Sequence, residues 1–170
     1  MAAAALTACE KNPYGPTNHT PEPDKPSEKP VEIVKGGFAE GADISWVTQM
    51  EAEGCRFYDT AGQETECTAL MKEIGFDAVR LRVWADPEGG WCGKDDVLVK
   101  AKRARDLGMR IMIDFHYSDT WADPSNQKTP AAWADLPVYE LAAALEAHTK
   151  ETLQLLKDNG VNVEWVQVGN

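Results

Sequence analysis

Positive charge is scarce in this sequence. Its 17 lysines and arginines stand against 28 aspartates and glutamates, a formal net charge of −11 at pH 7. A nucleic-acid partner requires a basic face, so none is expected. There are only 3 histidines, and no two of the 4 cysteines form a CxxC pair. With no ligand spacing of the usual kind, no metal site is expected. No strand is followed by a glycine fingerprint for phosphates or dinucleotides, and no cofactor is expected. No apolar run approaches the roughly 20 residues of a membrane-crossing helix.

Tryptophan, in contrast, is plentiful, with 6 residues. Several fall in loops rather than at periodic core positions. Rings there suit stacking on carbohydrate, although core packing would also explain them.

The chain divides into three stretches. Residues 1–9 read MAAAALTAC, and Leu6-Thr7-Ala8-Cys9 fits a bacterial lipobox, in which the cysteine is acylated after cleavage. Residues 10–30 are polar, with prolines at 13, 16, 21, 23, 26 and 30. Such a segment buries no core and reads as an extended tether. A globular part of residues 31–170 follows. This layout predicts a lipoprotein of the cell surface or periplasm, at the bacterial outer membrane, touching lipid only through Cys9. The compartment would be oxidising.

The globular part alternates strands and helices. Residues 41–45 read as a short strand, and Ser45 is placed to cap a helix over 46–53. A small hairpin over 55–63 is followed by a helix over 65–74. Residues 78–84 (AVRLRVW) form a strand with Arg80 and Arg82 on one face and Val79, Leu81 and Val83 on the other. Asp95 or Asp96 caps a helix over 97–107. A third strand covers 110–116, a long loop 120–137, a long helix 138–158 and a last strand 163–169. His148 lies on the apolar stripe of that helix and reads as structural.

Parallel strands with intervening helices fit a barrel or a doubly wound α/β sheet. The strand ends carry Asp43, Arg80, Arg82, Asp114, His116 and Asn170. Polar residues gathered at the C-terminal ends of successive strands are what the active face of a (β/α)8 TIM barrel needs. A full barrel takes about 250 residues, so about the first four β/α units are expected here. The inward arginines should meet carboxylates.

The richest stretch is 111–124, IMIDFHYSDTWADP. Asp114 and His116 share one strand face, opposite Ile113 and Phe115. A buried carboxylate and imidazole need partners, because leaving them unpaired costs several kcal/mol. Trp121 follows among carboxylates and offers a flat apolar surface.

Four stretches together carry a resemblance: GADIS at 41–45, AVRLRVW at 78–84, KRARDLGMRIMIDFHYSDTWADP at 102–124 and EWVQVGN at 164–170. The globular part resembles the endo-β-1,4-galactanases of glycoside hydrolase family 53, retaining barrel glycosidases. DFHYSDTWADP is the specific element. The resemblance implies hydrolysis of the β-1,4-galactan or arabinogalactan of pectin by two glutamates, one after an Asn at the end of strand four, the other on strand seven. Asn170 matches that Asn. Neither glutamate lies within these 170 residues, which alone are therefore expected to be inactive. The implied supporting residues are Asn170 on the sugar 2-hydroxyl, Arg80 beside the nucleophile, and Asp114 and His116 on the cleft floor. Trp121 would stack on galactose, and Asp43 would join the polar network. A Cys67–Cys92 disulfide and a monomeric state are also expected. Alternatives are a mannanase or cellulase of the same clan, or a non-catalytic surface glycan-binding lipoprotein.

Overall fold

The computed structural model describes residues 36–170. The lipobox with Cys9 and the proline-rich stretch over 10–30 lie outside the described residues. The elements are β1 (Gly41–Asp43), α1 (Val47–Ala52), β2 (Phe57–Tyr58), β3 (Glu64–Thr65), α2 (Cys67–Glu73), β4 (Ala78–Val83), α3 (Lys94–Asp106), β5 (Arg110–Phe115), α4 (Val138–Asp158) and β6 (Trp165–Val168). β2 and β3 form the small hairpin, paired antiparallel. The other four strands form one parallel sheet in the order β1-β4-β5-β6. The protein is therefore α/β.

Strand alternation divides the sheet into two chemically different faces. Val79, Leu81, Val83, Ile111, Ile113 and Phe115 are at most 1% exposed and pack with Val97, Ala101 and Ala104 of α3 and Leu156 of α4. Val97, Ala101 and Ala104 recur at helical spacing, so one face of α3 covers the sheet. Burying each large aliphatic or aromatic side chain here stabilises by roughly 1.5–3 kcal/mol. The other face carries Asp43, Arg80, Arg82, Asp114 and Gln167. The register places Arg80 beside Asp43, and Asp114 between Arg82 and Gln167.

Local signals at three positions are used differently from expectation. Ser45 does not cap α1, whose N-cap Trp46 makes no side-chain cap bond. Its hydroxyl instead accepts the backbone N–H of Arg82 at 2.8 Å, tying the end of β1 to β4. Neither Asp95 nor Asp96 is the N-cap of α3, which begins at Lys94 after Gly93. Asp96 accepts from the backbone N–H of Cys92 at 2.7 Å and from Lys100 Nζ at 2.6 Å. Lys100 is fully buried and also donates to the Ser45 carbonyl at 2.6 Å.

The expected Cys67–Cys92 disulfide is not formed; both are free, buried thiols. Cys67 belongs to the apolar cluster, and burial beside Glu66 pushes its thiol up to about 11. The Cys92 thiol donates to the Ser45 carbonyl at 3.2 Å and accepts from Arg82 Nη2 at 3.4 Å. Its environment is polar, yet burial outweighs the nearby Lys100 and Arg82 charges and raises its pKa. Each sulfur is thus held in a separate environment.

His148 packs edge-on against Phe115 and Trp133 at 5.8 Å.

Candidate active site

The polar face converges where β1, β4, β5 and β6 end. Arg80 is the hub. Its Nη1 lies 3.2 Å from Asp43 Oδ2, and its Nη2 lies 2.5 Å from Asp114 Oδ2. Nη2 also lies 3.4 Å from Asn170 Oδ1. One guanidinium thus joins residues from three strands and the segment after a fourth. Asp114 is fully buried and Arg80 is one-third exposed. A pair of this kind is held in place only where further hydrogen bonds satisfy the carboxylate.

His116 supplies one of those bonds. Its Nε2 lies 3.0 Å from Asp114 Oδ2, and its Nδ1 accepts the Ala122 backbone N–H at 3.2 Å. Because Nδ1 is an acceptor, the ring proton sits on Nε2 and is donated to Asp114. Ala122 also accepts Asn170 Nδ2 at 2.6 Å through its carbonyl. The loop after β5 therefore clamps the imidazole with one backbone group and the Asn170 amide with the other. Gln167 Nε2 donates to Asn170 Oδ1 at 3.0 Å, and Gln127 Nε2 donates to the Asn170 carbonyl at 2.8 Å. The amide is oriented by these contacts and keeps one Nδ2 hydrogen to donate.

Two atoms in this network lack a partner among the described residues: Arg80 Nε and Asp114 Oδ1. Both are buried, and an unpaired buried polar atom costs on the order of 1–3 kcal/mol.

An aromatic wall adjoins the network. Trp121 is 45% exposed, and its ring lies 5.9 Å from that of His116. Trp46 and Trp84 meet Trp121 edge-on at 5.4 Å and 6.1 Å. Arg82 differs from the expectation that both inward arginines meet carboxylates. Among the described residues no carboxylate pairs with it. Its Cζ instead lies 4.0 Å from the Trp121 ring centre, 4.5 Å from that of Trp84 and 5.4 Å from that of Trp46. Three indole faces take the place of a counter-ion, as the ring quadrupole allows.

All six expected site residues meet: Asp43, Arg80, Asp114, His116 and Asn170 in one hydrogen-bonded network, with Trp121 beside it. Sequence reasoning missed Gln167 and Ala122. Strand alternation would have put Gln167 on the polar face. Ala122 acts through its backbone, which leaves no mark on residue choice.

The family model described as Glycosyl hydrolase family 53 matches residues 39–170. An endo-beta-1,4-galactanase of Bacillus subtilis is 41% identical over 150 residues, covering 84% of this chain and 35% of the relative. An arabinogalactan endo-beta-1,4-galactanase of Cellvibrio japonicus is 40% identical over 135 residues, covering 78% and 36%. A structure from a study of two fungal beta-1,4-galactanases superposes with a TM-score of 0.73 at 38% identity, covering 76% of this chain and 39% of that one. The chain spans between a third and two-fifths of the length of these proteins.

Proposed function

The chain belongs to glycosyl hydrolase family 53, and from that premise we propose that it forms part of a retaining endo-β-1,4-galactanase. The observation that carries the reading is the meeting of Arg80, Asp114, His116 and Asn170 at the C-terminal end of one parallel sheet. In α/β barrels that rim is where chemistry is done. The four parallel strands are read as the first β/α units of such a barrel. Supporting this, the outer face of β6 is uncovered: Val168, paired in register with the fully buried Phe115, is 73% exposed.

Retaining hydrolysis needs two carboxyls about 5–5.5 Å apart. The carboxylates of the described site, Asp43 and Asp114, are both engaged by Arg80. They organise the site and do not themselves attack or protonate the glycosidic bond. In this reading two glutamates from other segments do that, and residues 1–170 alone are inactive. Arg80 Nε is a buried donor available to the nucleophilic carboxylate and would favour its ionised form. The remaining Nδ2 hydrogen of Asn170 would bond the sugar 2-hydroxyl, a contact that strengthens in the transition state. Trp121 would offer its exposed face to a galactose ring. The lipobox ending at Cys9 supports attachment to a bacterial outer surface, where galactan is met as an external polymer.

The test is an assay of the full chain, residues 1–170 joined to the segments that carry the two glutamates, on linear β-1,4-galactan, mannan and cellulose. Release of reducing ends from galactan, with the β-anomer formed first by NMR, is expected. Release from mannan or cellulose instead would move the activity elsewhere in the clan. Galactan retention with no sugar released would favour a binding lipoprotein.

A further inference from the structure

Next to the polar network lies a second feature that the reaction above does not use. It is an open cavity of about 850 Å³ between α1 and the loops after β4 and β5. Three tryptophans wall it: Trp46, Trp84 and Trp91. Two of these rings, Trp46 and Trp84, also contact Trp121. The cavity is therefore continuous, through one aromatic wall, with the side of the site on which Trp121 stands.

The third ring is held by a strained turn. The backbone N–H of Trp84 donates to the Cys92 carbonyl at 2.9 Å, folding the loop back on the end of β4. Cys92 has φ 61°, a left-handed conformation that non-glycine residues rarely adopt. It is fixed there by the bond from its N–H to Asp96. Gly89, at φ 69°, lies close to Trp91: a Cβ there would stand 3.2 Å from the indole Cδ1 and Nε1. Strain of this kind persists where the surroundings over-determine it, and it clusters at binding sites. The backbone that carries Trp91 is thus fixed by the turn, and its indole stands close to Gly89.

The charge of the cavity selects among ligands. Glu53, Asp86, Glu88 and Asp119 line it, and no lysine or arginine does among the described residues. The Asp119 oxygens accept the backbone N–H groups of Asp86 and Ala131, which fixes the loop. Asp86 and Glu88 are exposed, able to accept hydrogen bonds from sugar hydroxyls. Ring faces with carboxylate acceptors suit a neutral pyranose chain, whereas a polyuronate would meet like charge at every residue. The volume lies within the range of roughly 300–1,000 Å³ usual for ligand pockets.

We infer that this cavity binds a further stretch of the neutral galactan chain, extending the cleft beyond Trp121 and rejecting uronate-rich polysaccharide. The inference rests on the galactanase reading for the identity of the sugar. The test is calorimetric titration of the full chain with thio-linked, hydrolysis-resistant galactohexaose and galactobiose. Affinity electrophoresis in polygalacturonate gels accompanies it. Trp91→Ala should weaken galactohexaose binding about tenfold, as loss of one stacking platform does, and leave galactobiose binding in place. Trp91→Tyr should restore most of the loss. Polygalacturonate should retard neither protein. Unchanged galactohexaose affinity in Trp91→Ala, or retardation by polygalacturonate, would overturn the inference. A full chain that binds galactohexaose but frees no sugar from galactan sinks the galactanase reading alone. One that hydrolyses galactan while Trp91→Ala binds normally sinks this inference alone.

Discussion

Replacing Asp114 with alanine should destabilise the full chain by about 2–4 kcal/mol. The figure follows from what each partner loses. His116 is 1% exposed, and its Nε2–H would be left without an acceptor; a buried donor in that state costs about 1–3 kcal/mol. Arg80 would lose the shorter of its two ion pairs but keep Asp43 at 3.2 Å. It is one-third exposed, so water offsets part of that loss and the total stays below the largest values for broken buried pairs. Asp114→Asn is the control. It keeps an oxygen for His116 and the original volume, so its cost should be about half. Urea unfolding of the full chain measures both, with equal slopes required for a fair comparison. Galactan hydrolysis should fall in both variants, because Arg80 is then held from one side only. If Asp114→Ala costs less than about 0.5 kcal/mol, a level typical of surface changes, Asp114 does not anchor the network and the account of the site fails.

Further expectations concern the rings, the thiols and His148. Arg82→Lys replaces a planar cation enclosed by three indoles with a compact ammonium that stacks poorly. It should cost about 1–2 kcal/mol and change the near-UV dichroism of the tryptophans; an unaltered spectrum would remove the role assigned to Arg82. Cys67 and Cys92 are unbridged, so thiol titration of the unfolded chain should give one count with and without reductant. A gain of two thiols on reduction would restore the disulfide. Because the Cys67 thiol is raised to about 11 from 9.0, its contribution to stability is complete below pH 9 and is lost as pH rises toward about 11. Cys67→Ala should flatten that alkaline decline. Burial and the nearby Lys94 lower the pKa of His148 from 6.5, against the opposing effect of Glu151. Its contribution is therefore full above pH 6.5 and lost as pH falls below it. Stability of His148→Phe between pH 7 and 5 should depend less on pH than that of the parent, and equal slopes would refute this.

The order of strands and helices was legible because it is written in local periodicity. Alternation in 78–84 and 110–116 put Val79, Leu81, Ile113 and Phe115 on one face and Arg80, Arg82 and Asp114 on the other, as observed. The long helix over Val138–Asp158 is bounded as its sequence implied. The resemblance singled out Asp43, Arg80, Asp114, His116, Trp121 and Asn170, which do come together. Tertiary structure alone decided which distant groups satisfy one another. Ser45 and Asp96 carry helix-capping chemistry, yet they bond the Arg82 N–H and Lys100, because strand register and helix docking bring those donors closer. Two inward arginines look alike in sequence. One meets two carboxylates and the other three indoles: Arg80 stands in register beside Asp43 and reaches across to Asp114, although the register places Asp114 beside Arg82, whose guanidinium turns to the rings. The resemblance implied a Cys67–Cys92 bridge, but the fold encloses Cys67 among apolar side chains and Cys92 among Ser45, Arg82 and Lys100. Local pattern selects the face a side chain takes; the packing of remote elements selects its partner.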